Sequence, residues 1–247
     1  MSDNFDLRCF RLLKNEGSNV ELKKTLHIST QNDLHPLCQM ASEELQSLIL
    51  SRPLWGNRFG LGDTLGFGKM FGVLAVMNKD GQYGYLSAFS GKLFGSNHHE
   101  GFVPPVYDVL SSDSFLHEGM KKVDALNEAI EGQLDTDKVK ELVSKRKKLS
   151  KKLQAQIPDH YHFVNRDLTE KSLRKVFSDA GLGNPPGGAG ECAAPKLLQY
   201  AFIHGFTPVA LAEFYWGVHT GSNSWKHKMN YEPCVGKCAP ILRHMLS

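Results

Sequence analysis

Met70-Phe-Gly-Val-Leu-Ala-Val-Met77, Asn78-Lys-Asp-Gly-Gln82 and Tyr83-Gly-Tyr-Leu-Ser-Ala-Phe-Ser90 read as strand, turn and strand. The two outer runs are apolar and β-prone. The polar five between them contain Asp80-Gly81, a turn dipeptide whose glycine accepts a positive φ without a Cβ clash. The first run is apolar almost throughout, which marks a strand covered on both faces inside a layered α/β domain.

Toward the N-terminus, Leu34, Leu37, Met40, Ala41, Leu45, Leu48 and Ile49 recur at helical spacing, so a helix is expected over 34–50. Asn32 or Asp33 would cap it, and Pro53 follows its end. Residues 1–33 read as an irregular lead-in, and Trp55 to Gly68 as a glycine-rich loop. Toward the C-terminus, Gly91 to Phe115 is a long loop. The pattern then turns helical over 119–156, where Lys138 to Lys152 holds eight basic residues. An apolar seam through Val139, Leu142, Val143, Leu149 and Leu153 predicts a helical hairpin projecting from the core, with a coiled-coil contact inside it. Asn184-Pro-Pro-Gly-Gly-Ala-Gly190 is a hinge-like loop entering a helix over Glu191–His204. Pro208 to Trp216 reads as a third strand, and a last helix runs from Cys234 to Leu246. The expected architecture is an α/β core from 34–118 and 157–247, with 119–156 inserted as the basic helical unit.

The chain has 247 residues, 41% of them hydrophobic and 22% charged, enough apolar material for a sizeable core. Its net charge of +3 favours no class of partner by itself. There is no apolar signal region, and no run approaches the roughly 18 residues needed to cross a bilayer. Five cysteines form no disulfide framework, so a reducing, cytoplasmic setting without membrane contact is expected. Cys9 and Cys38 read as ordinary buried thiols.

The other three cysteines are placed differently. Cys192 lies in Gly-Ala-Gly-Glu-Cys-Ala-Ala-Pro-Lys-Leu-Leu198, and Cys234 and Cys238 in Pro233-Cys-Val-Gly-Lys-Cys238. Each segment sits at an expected helix start, where backbone N–H groups favour a thiolate over a thiol. Three thiolates could hold zinc and leave a fourth position open. The order helix, β-hairpin, helix, strand, helix resembles the three-layer core of the cytidine-deaminase-like fold. There the first zinc ligand lies in a His/Cys-Ala-Glu motif and the others in Pro-Cys-x-x-Cys. Two features depart from that pattern. The position of the proton-shuttling glutamate holds Ala194, and the second pair is spaced Cys-x3-Cys. Glu191 is the nearest replacement proton carrier, but it leaves the helix about 100° away per residue. The plainer reading makes Cys192 a packing residue beneath a glycine turn and the other two free thiols.

Further candidates are weaker. His98-His99, His117, and His160 with His162 lack metal-ligand spacing, and Gly60-Leu-Gly-Asp-Thr-Leu-Gly66 lacks the Lys-Ser/Thr of a P-loop. No Gly-x-Ser-x-Gly elbow is present. Lys196 reads as capping carbonyls, pairing with Glu213 or touching a ligand.

Longer motifs carry a second resemblance. Lys69-Met-Phe-Gly-Val-Leu-Ala-Val, Gly84-Tyr-Leu-Ser-Ala-Phe-Ser-Gly91, Phe102-Val-Pro-Pro-Val-Tyr-Asp108, Glu191-Cys-Ala-Ala-Pro-Lys-Leu-Leu-Gln-Tyr-Ala201, Ala212-Glu-Phe-Tyr-Trp-Gly217 and Cys238-Ala-Pro-Ile-Leu-Arg-His-Met-Leu246 look like the N-terminal extension of bacterial RluA-type pseudouridine synthases. In such proteins the catalytic aspartate lies in a His-Arg-Leu-Asp motif of a following synthase domain. No such motif occurs here, and Asn165-Arg-Asp-Leu168 lacks both the His and the order. The resemblance therefore implies an accessory, RNA-engaging domain that works with a synthase domain in cis or in trans, on RNA of the ribosomal or transfer class. Lys145, Arg146, Lys147, Lys148, Lys151 and Lys152 would contact phosphates; their plainer reading is a solvated helix face. The alternative is a zinc-dependent deaminase-like hydrolase acting on a nucleobase, with Cys192, Cys234 and Cys238 on zinc and Glu191 moving the proton. Ala194 favours the accessory domain.

Overall fold

The computed structural model describes residues 9–13, 25–53, 55–61, 66–218 and 225–247. Part of the lead-in and residues 62–65 of the Gly60–Gly66 stretch lie outside the described residues. The anticipated hairpin forms from β3 (Lys69–Met77) and β4 (Tyr83–Phe89), with Phe71 opposite Phe89 and Met77 opposite Tyr83. Asn78 organises its turn: Oδ1 accepts from the N–H groups of Asp80 at 3.0 Å and Gln82 at 2.8 Å. Gly81 takes φ +77° there, a value that favours glycine.

The other edge of β3 pairs antiparallel with β7 (Thr207–Trp216), in a register that shifts between Ala75 and Val76. Short strands complete the sheet. β1 (Arg11–Leu12) pairs with β4, β2 (His27–Ile28) runs parallel to β7, and β8 (Asn230–Tyr231) pairs with β7 beyond it. The order is β1-β4-β3-β7-β2. Residues 11–12 and 27–28 thus belong to the sheet, although the lead-in was expected to be irregular; two-residue pairings carry no periodicity to read.

Side-chain alternation divides the core in two. Phe71, Val73, Ala75, Phe214 and Trp216 face α1 (Pro36–Ser51), where Trp55, Phe59 and Phe102 close the layer. Leu74, Val76, Leu86 and Leu211 face α5 (Ala193–Ile203) and α6 (Cys238–Met245), with α4 (Leu173–Asp179) and the hairpin β5–β6 (His162–Val164, Glu170–Ser172) beside them. The molecule is a mixed α/β protein with helices on both faces of a mixed sheet. α1 is capped by His35, whose Nδ1 accepts from the N–H of Leu37 at 3.2 Å, rather than by Asn32 or Asp33. Asp33 is engaged instead by the His27 ring at 3.0 Å.

The inserted unit is α2 (Phe115–Glu131) and α3 (Thr136–Gln156), started by the caps Ser114 and Asp135. It begins four residues earlier than the helical pattern suggested. Gly119 lets the helices close against Leu153, since a Cβ there would lie 2.4 Å from its Cδ2. Among the described residues no helix is long and apolar enough to cross a membrane.

Candidate metal centre

The cysteine segments meet above the sheet at the start of two helices. Cys192 is the N-cap residue of α5, and Cys238 is the first residue of α6. A turn folds Cys234 back onto Cys238: the carbonyl of Cys234 accepts from the N–H groups of Cys238 at 3.0 Å and Ala239 at 3.2 Å. Gly72 sets how closely α5 approaches β3, because a Cβ there would come within 2.8 Å of the Ala193 Cβ.

Sγ atoms of Cys192, Cys234 and Cys238 lie within 4.8 Å of one another, and those of Cys234 and Cys238 are 3.3 Å apart. Sulfurs on a tetrahedral zinc with bonds near 2.3 Å would be about 3.8 Å apart, so the donor set and its spacing fit that ion. Without a metal the thiols share protons. Hydrogen bonds from Cys192 and Cys238, with the backbone N–H groups of Cys238 and Lys237, pull Cys234 far below the ordinary thiol range. The same bonds push Cys192 up to about 12 and raise Cys238 as well. Metal binding requires the ligand thiols to give up their protons, and the cation would take the place of those protons between the sulfurs.

The residue beneath the cluster was considered from the sequence only as an ion-pair partner for Lys196. Glu213, on β7, is 5% exposed, and its Oε1 accepts from the N–H of Ala194 at 3.0 Å. It therefore caps a first-turn donor of α5 from the sheet below. Burial pushes its carboxyl up to about 7, opposed by the Ala194 hydrogen bond. Position 194 lacks a carboxylate of its own, and a carboxylate from another strand reaches its backbone. The signal in the sequence is a single acid inside the apolar run Pro208–Trp216.

Glu191 and Lys196 form the next layer. Lys196 is 3% exposed and donates to the carbonyls of Phe89 at 3.1 Å and Gly91 at 3.2 Å; its ammonium lies 4.0 Å from Glu191. Its ion pair is thus with Glu191 and not Glu213; of the carbonyls it caps, that of Phe89 is buried and that of Gly91 half-buried. Burial raises the Glu191 carboxyl, offset by Lys196. Lys69 is lowered to about 8 by burial and by the nearby Lys196 charge. Together with Cys192, Cys234 and Cys238, the groups Glu191, Glu213 and Lys69 line one cavity of about 720 Å³, with Trp225 and Tyr231 on its wall. Its mouth leaves room for water or a ligand beside the sulfurs.

The basic residues lie elsewhere. Lys145, Lys147, Lys148, Lys151 and Lys152 are exposed on α3, while Arg146 turns inward and donates to Asn127 Oδ1 at 3.0 Å. Lys138 and Lys140 pair with Asp135 and Asp137. Among the described residues, the five exposed lysines have no such partner. Cys38 is buried and raised to about 12, and Cys9 bonds the Phe102 carbonyl at 3.3 Å. His98 finds a carboxylate in the Asp108 side chain at 2.8 Å. Comparison of the chain with protein-family models, with curated proteins and with solved structures yields no match.

Proposed function

We propose that this chain is an RNA-engaging α/β domain built around a three-cysteine zinc centre, an accessory to pseudouridine synthases of the RluA type. The observation that carries the RNA role is the run of exposed, unpaired lysines on α3, a helix that packs mainly on α2 and on the turn Ile157–His160. Cations without acidic partners on a projecting element suit a polyanion, whose counterions they would displace. Cys192, Cys234 and Cys238 would hold the zinc and join the starts of α5 and α6 on one face of the sheet. Replacing Lys145, Arg146, Lys147 and Lys148 by Ala should weaken binding of a labelled RNA and flatten its salt dependence. Unchanged affinity at low salt would sink the RNA role of α3.

A second reading, hydrolysis of a nucleobase amine at the zinc, gains from Glu213. The objection from Ala194 was the lack of a proton carrier, and Glu213 brings a carboxyl to that backbone position. The element order α1, β3, β4, α5, β7, α6, with α2, α3, β5, β6 and α4 inserted before α5 and β8 before α6, supports this reading by its resemblance to a deaminase-like core. In such a reaction water replaces an exocyclic amino group, leaving a carbonyl and ammonia. Glu213 and Glu191 are the residues positioned to take a proton from water and return one to the leaving amine. Ammonia release from cytidine, adenosine or RNA, abolished by Glu213→Gln, would establish this reading. Its absence in zinc-loaded protein leaves the accessory role alone.

A further inference from the structure

Three depressions are linked by shared lining residues. The cysteine cavity shares Gly188 and Glu191 with a second cavity of about 540 Å³ beneath the 184–190 loop. That cavity shares Gln154 with a groove of about 420 Å³ between α2 and α3, bordered by Lys147 and Lys151. Arg174 ties the arrangement together by bonding Asp159, the Ala155 carbonyl and, at 3.2 Å, Asn184 Oδ1. The loop is thereby held to the foot of α3.

The series has chemistry along its length. Lys147 and Lys151 stand at one end and Lys69 and Lys237 at the other, and none of the four has an ion-pair partner among the described residues. Between them Tyr161, 1% exposed, lines the middle cavity. Over the connecting loop, a Cβ added at Gly187 would meet nothing within 4 Å, so a ligand can approach the backbone closely there. Trp225, whose ring lies 5.4 Å from that of Tyr215, and Tyr231 line the last cavity.

Resting on the RNA role proposed above, we propose that one single strand of RNA lies along this series, from the α3 lysines past Tyr161 to the cysteine cavity. The base presented to the cysteines then belongs to a polynucleotide and not to a free nucleoside. Separate concave cavities joined over a glycine loop suit splayed single bases. A duplex instead presents its backbone across a wide, shallow groove. Glu191, Glu213 and Glu232 also face the last cavity. They leave the cations to hold phosphates at its rim while carboxyls face the base.

The test is fluorescence anisotropy of a labelled, unstructured twelve-nucleotide RNA, from about 50 to 200 mM salt, with zinc-loaded protein whose folding is checked by circular dichroism. Each phosphate contact removed from a single strand lowers the salt slope by about 0.7, so Lys147→Ala/Lys151→Ala and Lys69→Ala/Lys237→Ala should each lower it by about 1.4. A trinucleotide should bind far more weakly than the twelve-mer. If the α3 pair matters while Lys69 and Lys237 are silent, the strand path is wrong and the α3 RNA role stands. If no variant changes the slope, both fall. Duplex RNA bound as tightly as the single strand, or a mononucleotide bound as tightly as the twelve-mer, overturns the path as well.

Discussion

Phe71, Phe214 and Trp216 pack under α1 among Phe59 and Phe102, with the Phe71 and Phe214 rings 5.9 Å apart. One position along the same two strands, Gly72 and Glu213 face the start of α5 and the three cysteines. The first face is a dry aromatic layer; the second holds a buried carboxyl, a buried ammonium and sulfurs that share protons. The alternation of a strand lets both grow from one apolar run, and the dry layer offsets the cost of the polar one.

Removing Phe71 should break that division most severely. Phe71→Ala leaves a cavity in the aromatic layer and should cost about 3–5 kcal/mol in urea unfolding. A loss under about 1 kcal/mol would mean that the α1 face is not what holds the sheet. On the other face, zinc at about a hundred times its dissociation constant should add about 2.7 kcal/mol of stability, and Cys238→Ser should abolish that gain. The metal is read directly by elemental analysis, with about one zinc per chain expected in wild type. An equal response of wild type and the serine variant to zinc would remove the centre.

A finer probe is Glu213→Gln in zinc-free, reduced protein. The carboxyl is raised from 4.5 to about 7 in the folded chain. Its protonated form therefore contributes stability that is complete below about 4.5 and is lost as pH rises through about 7. Glutamine stays neutral and can still accept from Ala194. Relative to wild type, the variant should gain on the order of 2 kcal/mol between pH 5 and pH 8. Parallel pH profiles would place a compensating cation on Glu213. The smallest effect belongs to α3: Lys145→Ala with Lys148→Ala should move stability by no more than about 0.5 kcal/mol. A large loss there would show that these lysines hold the fold together.

Much of this division was legible in residue order. The hairpin followed from Asp80-Gly81 between apolar runs, and β7 from Pro208–Trp216, within a residue of Thr207–Trp216. The three cysteines were placed together from expected helix starts and from the deaminase-like element order; Cys192 caps α5 and Cys238 opens α6, but the helix expected from Cys234 starts only at Cys238, with Cys234 in the turn before it. β5 and β6 escaped because three residues cannot display a period. α4 escaped because its seven residues follow directly on Ser172, which ends β6 and caps the helix. Glu213 and Lys196 were seen but not weighted. Each is a single ionisable group in a stretch whose other members are apolar, and such a group is buried by its neighbours. What it bonds depends on which distant strand or loop arrives beside it, and residue order does not encode that locally.

The position of β7 also sets a timetable. β3 and β4 are adjacent in the chain and can zip within microseconds of being made. The partner for the other edge of β3 is synthesised only after α2, α3, α4 and α5. At bacterial or eukaryotic rates of about 5–20 residues per second, that edge stays open for on the order of ten seconds. An apolar strand with unpaired backbone groups is a template for a neighbouring nascent chain. Refolding from denaturant shortens the delay but crowds many such edges together. Yield should then fall steeply with protein concentration, and the loss should occur before zinc has a site to bind.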